Sequence, residues 1–291
     1  MEKEIISEIE VQSVMTKSSL PVGGFSVNPY VGCPHACKYC YASFMKRFTG
    51  HTEPWGTFLD VKHWKPIANP HKYDGQRIVI GSVTDGYNPY EEEFCMTRRL
   101  LQELEGTNAE IMICTKSDLV LRDLELLKKF PKVTVSWSIN TLDEQFRKDM
   151  DRAVSIERRI AAMRKVYEAG IRTVCFVSPI FPGITDVKAI IERVRDFADL
   201  IWLENLNLRG QFKGTIMSYI KDNHPDVHAL YDEIYNKKRM DYWESLEKEI
   251  SMFAKQNGFP YMVNDLPYGR SEKGKPVIVN YFYHEKIRLN Q

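Results

Sequence analysis

The sequence predicts an α/β protein: an open (β/α)6 partial TIM barrel with an N-terminal segment and a mostly helical C-terminal extension. Two observations predict it. After Gly75 short β-rich runs alternate with stretches of helical spacing, the pattern of a parallel sheet with right-handed crossovers. With the segment near Phe25–Asn28 there are about six strand runs, which suits a partial barrel better than a complete eight-fold one.

The elements follow in order. Arg77–Val83 is a β-rich run that ends in Thr84-Asp85-Gly86, and Phe94–Leu104 has helical spacing. Glu110–Thr115 is the next strand. Leu121–Phe130 is helical and is closed by Pro131, which cannot continue a helix. Val133–Ile139 is a strand, and Ile156–Ala169 is a long helix with Gly170 placed as its C-terminal stop. Arg172–Val177 is a strand ended by Ser178-Pro179. Thr185 is the expected N-cap of a helix to about Phe197, with Asp186 in its first turn. Leu200–Leu206 is the sixth strand. Lys213 to about Gln256 reads as mostly helical, followed by short β-like pieces at Pro260–Val263 and Val277–Tyr283. The expected organisation is an N-terminal segment 1–24, a core 25–212, and an extension 213–291 that completes the same domain. In such sheets ligands sit beyond the C-terminal strand ends, so chemistry is expected in the loops after each strand.

Composition narrows the class. Hydrophobic residues at 43% against 27% charged support a packed core, which excludes a disordered chain. The formal net charge of +1 is far below that of a dedicated nucleic-acid coat, whose affinity comes from phosphate neutralisation. No run approaches the ~18 apolar residues of a membrane span. The Met1–Ile6 start is too charged for a secretory signal, so a cytoplasmic location is expected. In a reducing compartment, six cysteines with three inside one eight-residue window point to metal binding or catalysis, not to disulfides.

That window reads Cys33-Pro34-His35-Ala36-Cys37-Lys38-Tyr39-Cys40. Thiolates are soft anionic ligands that suit an Fe–S cluster, and a loop this short can wrap three of them around one cubane. One iron would then lack a protein thiolate and stay open to a cofactor or substrate. Zinc is the competing reading. It wants four ligands, and His35 sits too close to Cys33 and Cys37 to serve easily as the fourth. Cys95, Cys114 and Cys175 are isolated and do not suggest a second cluster.

Cys33, Cys37, Tyr39 and Cys40 resemble the CxxxCxΦC signature of the radical S-adenosylmethionine (SAM) superfamily. Several later segments resemble its spore photoproduct lyase-like (DNA repair photolyase-like) branch: Thr84–Glu91 after the second strand, Thr115-Lys116-Ser117 after the third, Ser136–Thr141 at the fourth, Arg159 on the next helix, and Pro179–Asp186 after the fifth. The resemblance runs from roughly Val27 to Asp186. It implies one three-Cys [4Fe–4S] cluster whose open iron binds SAM. It also implies reductive cleavage of SAM to a 5′-deoxyadenosyl radical that abstracts hydrogen from a substrate, with electrons from an external one-electron reductant such as flavodoxin or ferredoxin. By the same resemblance Tyr39 lies near the adenine. Ser82, Thr84, Lys116 and Ser138 are candidates for the ribose and methionine tail. Asp85 stands where many relatives carry a GGE-like stretch. Arg159 could meet the SAM carboxylate as a bidentate partner.

Competing readings accompany these candidates. Lys116 could be a solvated lysine, Ser138 a plain strand serine, Asp85 a turn cap. Arg159 could lie on a solvated helix face with Glu157, Arg158 and Arg164. Spore photoproduct lyases carry a hydrogen-donating Cys before the hydroxyl that contacts SAM. Here Val83 precedes Thr84 and Gly81 precedes Ser82, which argues against thymine-dimer repair. A nucleic-acid substrate, using Lys46, Arg47 and Lys237–Arg239, and a non-catalytic Fe–S or zinc module stand as alternatives. The segment with His51, Trp55, His63, Trp64 and His71 reads as solvated loop, with a lid over the site as the alternative. The polar stretch Asn264–Arg270 is a candidate substrate contact.

Overall fold

The computed structural model describes residues 4–18, 24–208, 210, 212–265, 269–271 and 274–282. The chain divides into two compact units: Met1–Trp137 with Asp151–Arg172, and Ser138–Met150 with Thr173–Gln291. Each is mixed α/β with parallel strands, as expected.

In the first unit Phe25–Val27, Arg77–Ile80, Glu110–Thr115 and Lys132–Ser138 form a parallel series in that order. Met15–Lys17 adds an antiparallel edge against Phe25–Val27. The central strands are continuous apolar runs because both faces are covered: Ile78, Val79, Ile80, Ile111 and Ile113 are all buried. Met96–Leu104 turns Met96, Leu100, Leu101 and Leu104 inward at helical spacing. The helix expected from Phe94 is broken. A short helix, Glu91–Phe94, stops at Cys95, which takes φ +54°, and a new helix starts at Met96. The restart has a specific cause: the buried Glu91 carboxylate accepts the N–H groups of Thr97 and Arg98 at 2.9 and 3.1 Å, supplying the cap that Cys95 lacks. The expected helix at Leu121–Phe130 is a 3-10 turn, Leu119–Asp123, running into a short α-helix, Leu124–Leu127. Ile156–Glu168 is a full helix, capped by Ser155 and stopped before Gly170 at φ +80°.

A separate three-stranded sheet joins Ile5–Glu10, Phe58–His63 and Tyr30–Val31. Its central strand lies in the stretch expected to be loop. The period-two signal is missing there because Asp60 is buried along with Phe58, Leu59 and Val61 and is matched by His51 at 2.8 Å.

In the second unit Arg172–Ile180, Leu200–Asn205, Val277–Asn280 and Tyr261–Val263 lie side by side in that order, all parallel. The first of these runs on through Ser178-Pro179, a cis peptide, to Ile180. The helix Val187–Val194 is capped by Asp186, whose side chain accepts Ala189 N–H. Thr185, the expected cap, instead accepts from Phe181 N–H and donates to the Asn140 carbonyl. Three helices follow: Phe212–Asn223, Pro225–Tyr235 and Asp241–Asn257, the last ended by Gly258. Among the described residues no helix is long and apolar enough to cross a membrane. Of the sequence expectations, Leu266, Pro267, Tyr268 and Tyr283 lie outside the described residues.

Candidate functional site

The three clustered cysteines lie on a loop between Tyr30–Val31 and the 3-10 helix Tyr41–Phe48, inside the first unit. Gly32 enters the loop at φ +83°, where a Cβ would collide with the Phe58 carbonyl, so only glycine fits. Two successive turns follow. Ala36 N–H bonds the Cys33 carbonyl and Cys40 N–H bonds the Cys37 carbonyl, both at 3.1 Å. Ala36 takes φ +46° between them. All three thiols are free, with Cys33 buried and Cys37 and Cys40 half-buried.

Two buried polar clamps hold this loop. At the first, His35 Nε2 lies 3.0 Å from Asp85 Oδ2. Asp85 stands beyond the Arg77–Ile80 strand and also accepts from Thr115 Oγ1, Lys116 N–H and Tyr87 N–H at 2.7–2.9 Å. Burial alone would push its carboxyl up; the His35 hydrogen bond and charge, with the Lys116 and Tyr87 N–H groups, outweigh that and hold it below the usual range. At the second clamp, Tyr39 Oη donates to Asp151 Oδ2 at 3.1 Å, and Asp151 Oδ1 takes Arg159 Nη2 at 2.8 Å. Arg159 also donates from Nε to the Val154 carbonyl. The solvated-face reading of Arg159 is therefore wrong: the side chain is 0% exposed. Between the clamps, Lys116 Nζ stands 5.7 Å over the Tyr39 ring. Burial pulls the Lys116 ammonium down, but the neighbouring charges of Cys37 and Asp151 raise it on balance, so it is a cation facing the cysteine loop.

The loop after the second strand is pinned separately. Asn28 Oδ1 accepts the N–H groups of Val83 and Thr84 at 3.0 and 3.2 Å, and Asn28 Nδ2 reaches Ser82 Oγ at 3.2 Å. Ser82 Oγ also meets Ser26 Oγ at 2.5 Å, and the Ser82 carbonyl accepts from Tyr41 Oη. The structure thus gathers Cys33, Cys37, Cys40, Tyr39, Asp85, Lys116 and Arg159 in one network. It places Ser82 and Thr84 on the Asn28-held loop. Ser138 ends the Lys132–Ser138 strand and opens the second unit. Asn28 and Asp151 escaped the sequence reading, and His35 was weighed there only as a zinc ligand, not as the partner of Asp85. His35 and Asn28 are polar residues at motif or strand ends, a signal that could have marked them; Asp151 has no local signal, because its partners are remote in sequence.

The residues fit an Fe–S cluster. The donor set is thiol only, and backbone N–H groups of Asp85 and His35 point at the Cys33 sulfur, as Ala42 N–H does at Cys40. Burial, aided by the Asp85 charge, pushes the Cys33 thiol up to about 12, and burial raises Cys37 and Cys40 as well. Among the described residues no three His, Cys, Asp or Glu side chains are gathered as a single-ion site. A cubane differs from such a site in giving each thiolate its own iron.

The chain is also similar to known proteins. The Radical SAM superfamily profile matches residues 27–196. An uncharacterised protein of Methanocaldococcus jannaschii is 37% identical over 228 residues, 77% of this chain and 86% of that one. An uncharacterised protein of Acidianus two-tailed virus is 29% identical over 248 residues, 74% of this chain and 80% of that one. A radical SAM Nα-GlyT isomerase of Pseudomonas phage M6 is 24% identical over 173 residues, covering 57% of this chain and 36% of that one. Among solved structures, spore photoproduct lyase with bound AdoMet and dinucleoside spore photoproduct has a similar fold, with a TM-score of 0.54 at 16% identity over 73% of this chain and 65% of that one. With more than half of its length matched by the family profile, and the matched part carrying the clamped thiol loop, this chain belongs to the radical SAM superfamily and is a radical SAM enzyme.

Proposed function

We propose that Cys33, Cys37 and Cys40 hold one [4Fe–4S] cluster and that SAM binds its remaining iron. When bound, the cluster supplies the electron that cleaves SAM to methionine and a 5′-deoxyadenosyl radical, which takes a hydrogen atom from the substrate. The observation that carries this reading is the thiol loop itself: three free cysteines on two successive turns, clamped through His35 to Asp85 and through Tyr39 to Asp151.

The protein's own groups then divide the work. Lys116, a buried-side cation over the Tyr39 ring, offsets thiolate charge and suits an anionic or hydroxyl group of SAM. Tyr39 gives a flat apolar face whose orientation is fixed by its hydroxyl on Asp151. Arg159 spends its fork on Asp151 and Val154, so its proposed role is to position Tyr39, in place of direct contact with the SAM carboxylate. Asp85 holds the loop through His35, and Asn28 with Ser82 shapes the backbone at Val83 and Thr84. Ser138 remains a proposed SAM contact on the strand end. Thymine-dimer repair is not part of the proposal. A side chain at Gly81 would strike the Cys114 carbonyl, so no donor thiol fits there, and Val83 has none.

Anaerobic reconstitution tests the reading. The wild type should bind iron and sulfide in the ratio of a single [4Fe–4S] cluster and, reduced with dithionite, form 5′-deoxyadenosine from SAM. Cys33→Ala, Cys37→Ala and Cys40→Ala should lose both. Zinc in the anaerobically purified protein, or a full cluster in any of these three cysteine variants, would overturn it.

A further inference from the structure

The Tyr41–Phe48 helix carries an exposed face beside the site, with the Tyr41 hydroxyl donating to the Ser82 carbonyl. Of the seven exposed large hydrophobic residues among those described, three lie here: Tyr41 at 61%, Phe44 at 47% and Phe48 at 66% exposure. Isolated exposed apolar residues are ordinary, but three within eight residues mark a contact surface. Arg47, also exposed, lies across the rings of Phe44 and Phe48 at 5.4 and 4.6 Å. Aromatic residues with arginine are the composition enriched where proteins meet.

Charge says what kind of partner fits. The chain has 40 basic and 39 acidic residues, yet no Asp or Glu occurs from Val11 to Thr52. That stretch holds Lys17, Lys38, Lys46 and Arg47, with Lys17, Lys38 and Arg47 exposed and Lys38, Lys46 and Arg47 on or beside this helix. Position says what the partner does. The helix starts immediately after Cys40, its N-cap residue, so the patch is joined by covalent bonds to the third proposed cluster ligand.

We propose that this face is the docking surface for a small acidic one-electron carrier protein that reduces the cluster. The inference rests on the cluster reading above. The carrier is oxidised by one electron and the cluster reduced by one, and no bond is made or broken at the interface. A nucleic acid fits less well, because its affinity grows with the number of phosphates neutralised and this patch offers few cations. An acidic protein needs only local complementarity to be steered to it.

The experiment compares two reductants on the loaded enzyme, using purified reduced flavodoxin as the acidic carrier and dithionite as the small one. Cluster bleaching is followed anaerobically in wild type and in a Phe44→Ser/Arg47→Glu/Phe48→Ser variant. The flavodoxin-driven rate should fall about ten-fold or more, and the wild-type rate should itself fall as salt rises. Dithionite-driven reduction and 5′-deoxyadenosine formation should not change. An equal flavodoxin rate in both proteins overturns the docking surface and leaves the cluster reading intact. Failure of dithionite to reduce the wild type overturns the cluster reading and this inference with it. Should the triple variant load less iron, Arg47→Glu and Phe48→Ser are compared singly, per loaded cluster, and wild-type flavodoxin rates in both overturn the proposal. A variant that loses affinity for a single-stranded oligonucleotide while keeping its flavodoxin rate would assign the patch to nucleic acid instead.

Discussion

Asp151 and Arg159 form a buried ion pair at 2.8 Å, both side chains at most 1% exposed, and the same carboxylate receives the Tyr39 hydroxyl from the cysteine loop. A pair this deep is held by mutual need, since either charge alone would be stranded. Arg159→Met should therefore destabilise the protein by about 3–5 kcal/mol, as breaking a buried pair usually does. Arg159→Met/Asp151→Asn should recover part of that loss. Urea unfolding of the metal-free protein measures both. A single variant as stable as wild type would show that the pair contributes nothing.

Tyr39→Phe tests the link between pair and loop. It removes one hydrogen bond to a charged acceptor, worth about 1.5–3 kcal/mol in general. Reconstituted iron per chain should drop, or the cluster should become more labile to air, while far-UV circular dichroism stays that of the wild type. Unchanged cluster yield and lifetime would remove Tyr39 from its anchoring role.

Glu91 belongs to the motif-like Thr84–Glu91 segment but performs no chemistry in this structure. It is fully buried, caps Thr97 and Arg98, pairs with Arg122 at 2.7 Å and accepts from Tyr30. Glu91→Ala should cost about 3 kcal/mol or more by leaving the buried Tyr30 hydroxyl and two helix N–H groups unmatched and by taking one of two carboxylates from Arg122, which keeps Asp123. Calorimetry should show the lower Tm. SAM affinity per folded, loaded chain should be unchanged; a selective loss of SAM binding would show that Glu91 does more than hold the helix.

His51 predicts a pH dependence. Burial alone would lower its imidazolium, but hydrogen bonds to Asp60 and Glu53 outweigh this and raise it above the ordinary 6.5. A raised folded value means the stabilisation is complete below 6.5 and is lost as pH climbs through the folded value. The stability of the wild type should fall more steeply than that of His51→Gln as pH rises from about 6.5 toward 8. Parallel stability curves for the two proteins across that window would refute the assignment.

Local reading succeeded where the deciding physics is local. Gly170 stops its helix because a positive φ there suits glycine, and the Glu110–Thr115 strand shows in its own apolar run. It went astray where distant groups intervene. The restart at Met96 depends on Glu91 reaching past Cys95, and the Thr185 cap was displaced because its hydroxyl serves Phe181 and Asn140. The Phe58–His63 strand was hidden by buried Asp60, a polar residue made tolerable by His51.

The sequence alone determined the parallel α/β plan and the three-thiol loop, because strand periodicity and ligand spacing are written within a few residues of one another. Only the tertiary structure decided what grips that loop. His35 meets Asp85 fifty positions away and Tyr39 meets Asp151 across 112. Such pairs leave no local pattern: their partners are chosen by burial, where an unmatched charge or hydroxyl is costly and any complementary group brought near by the fold will serve.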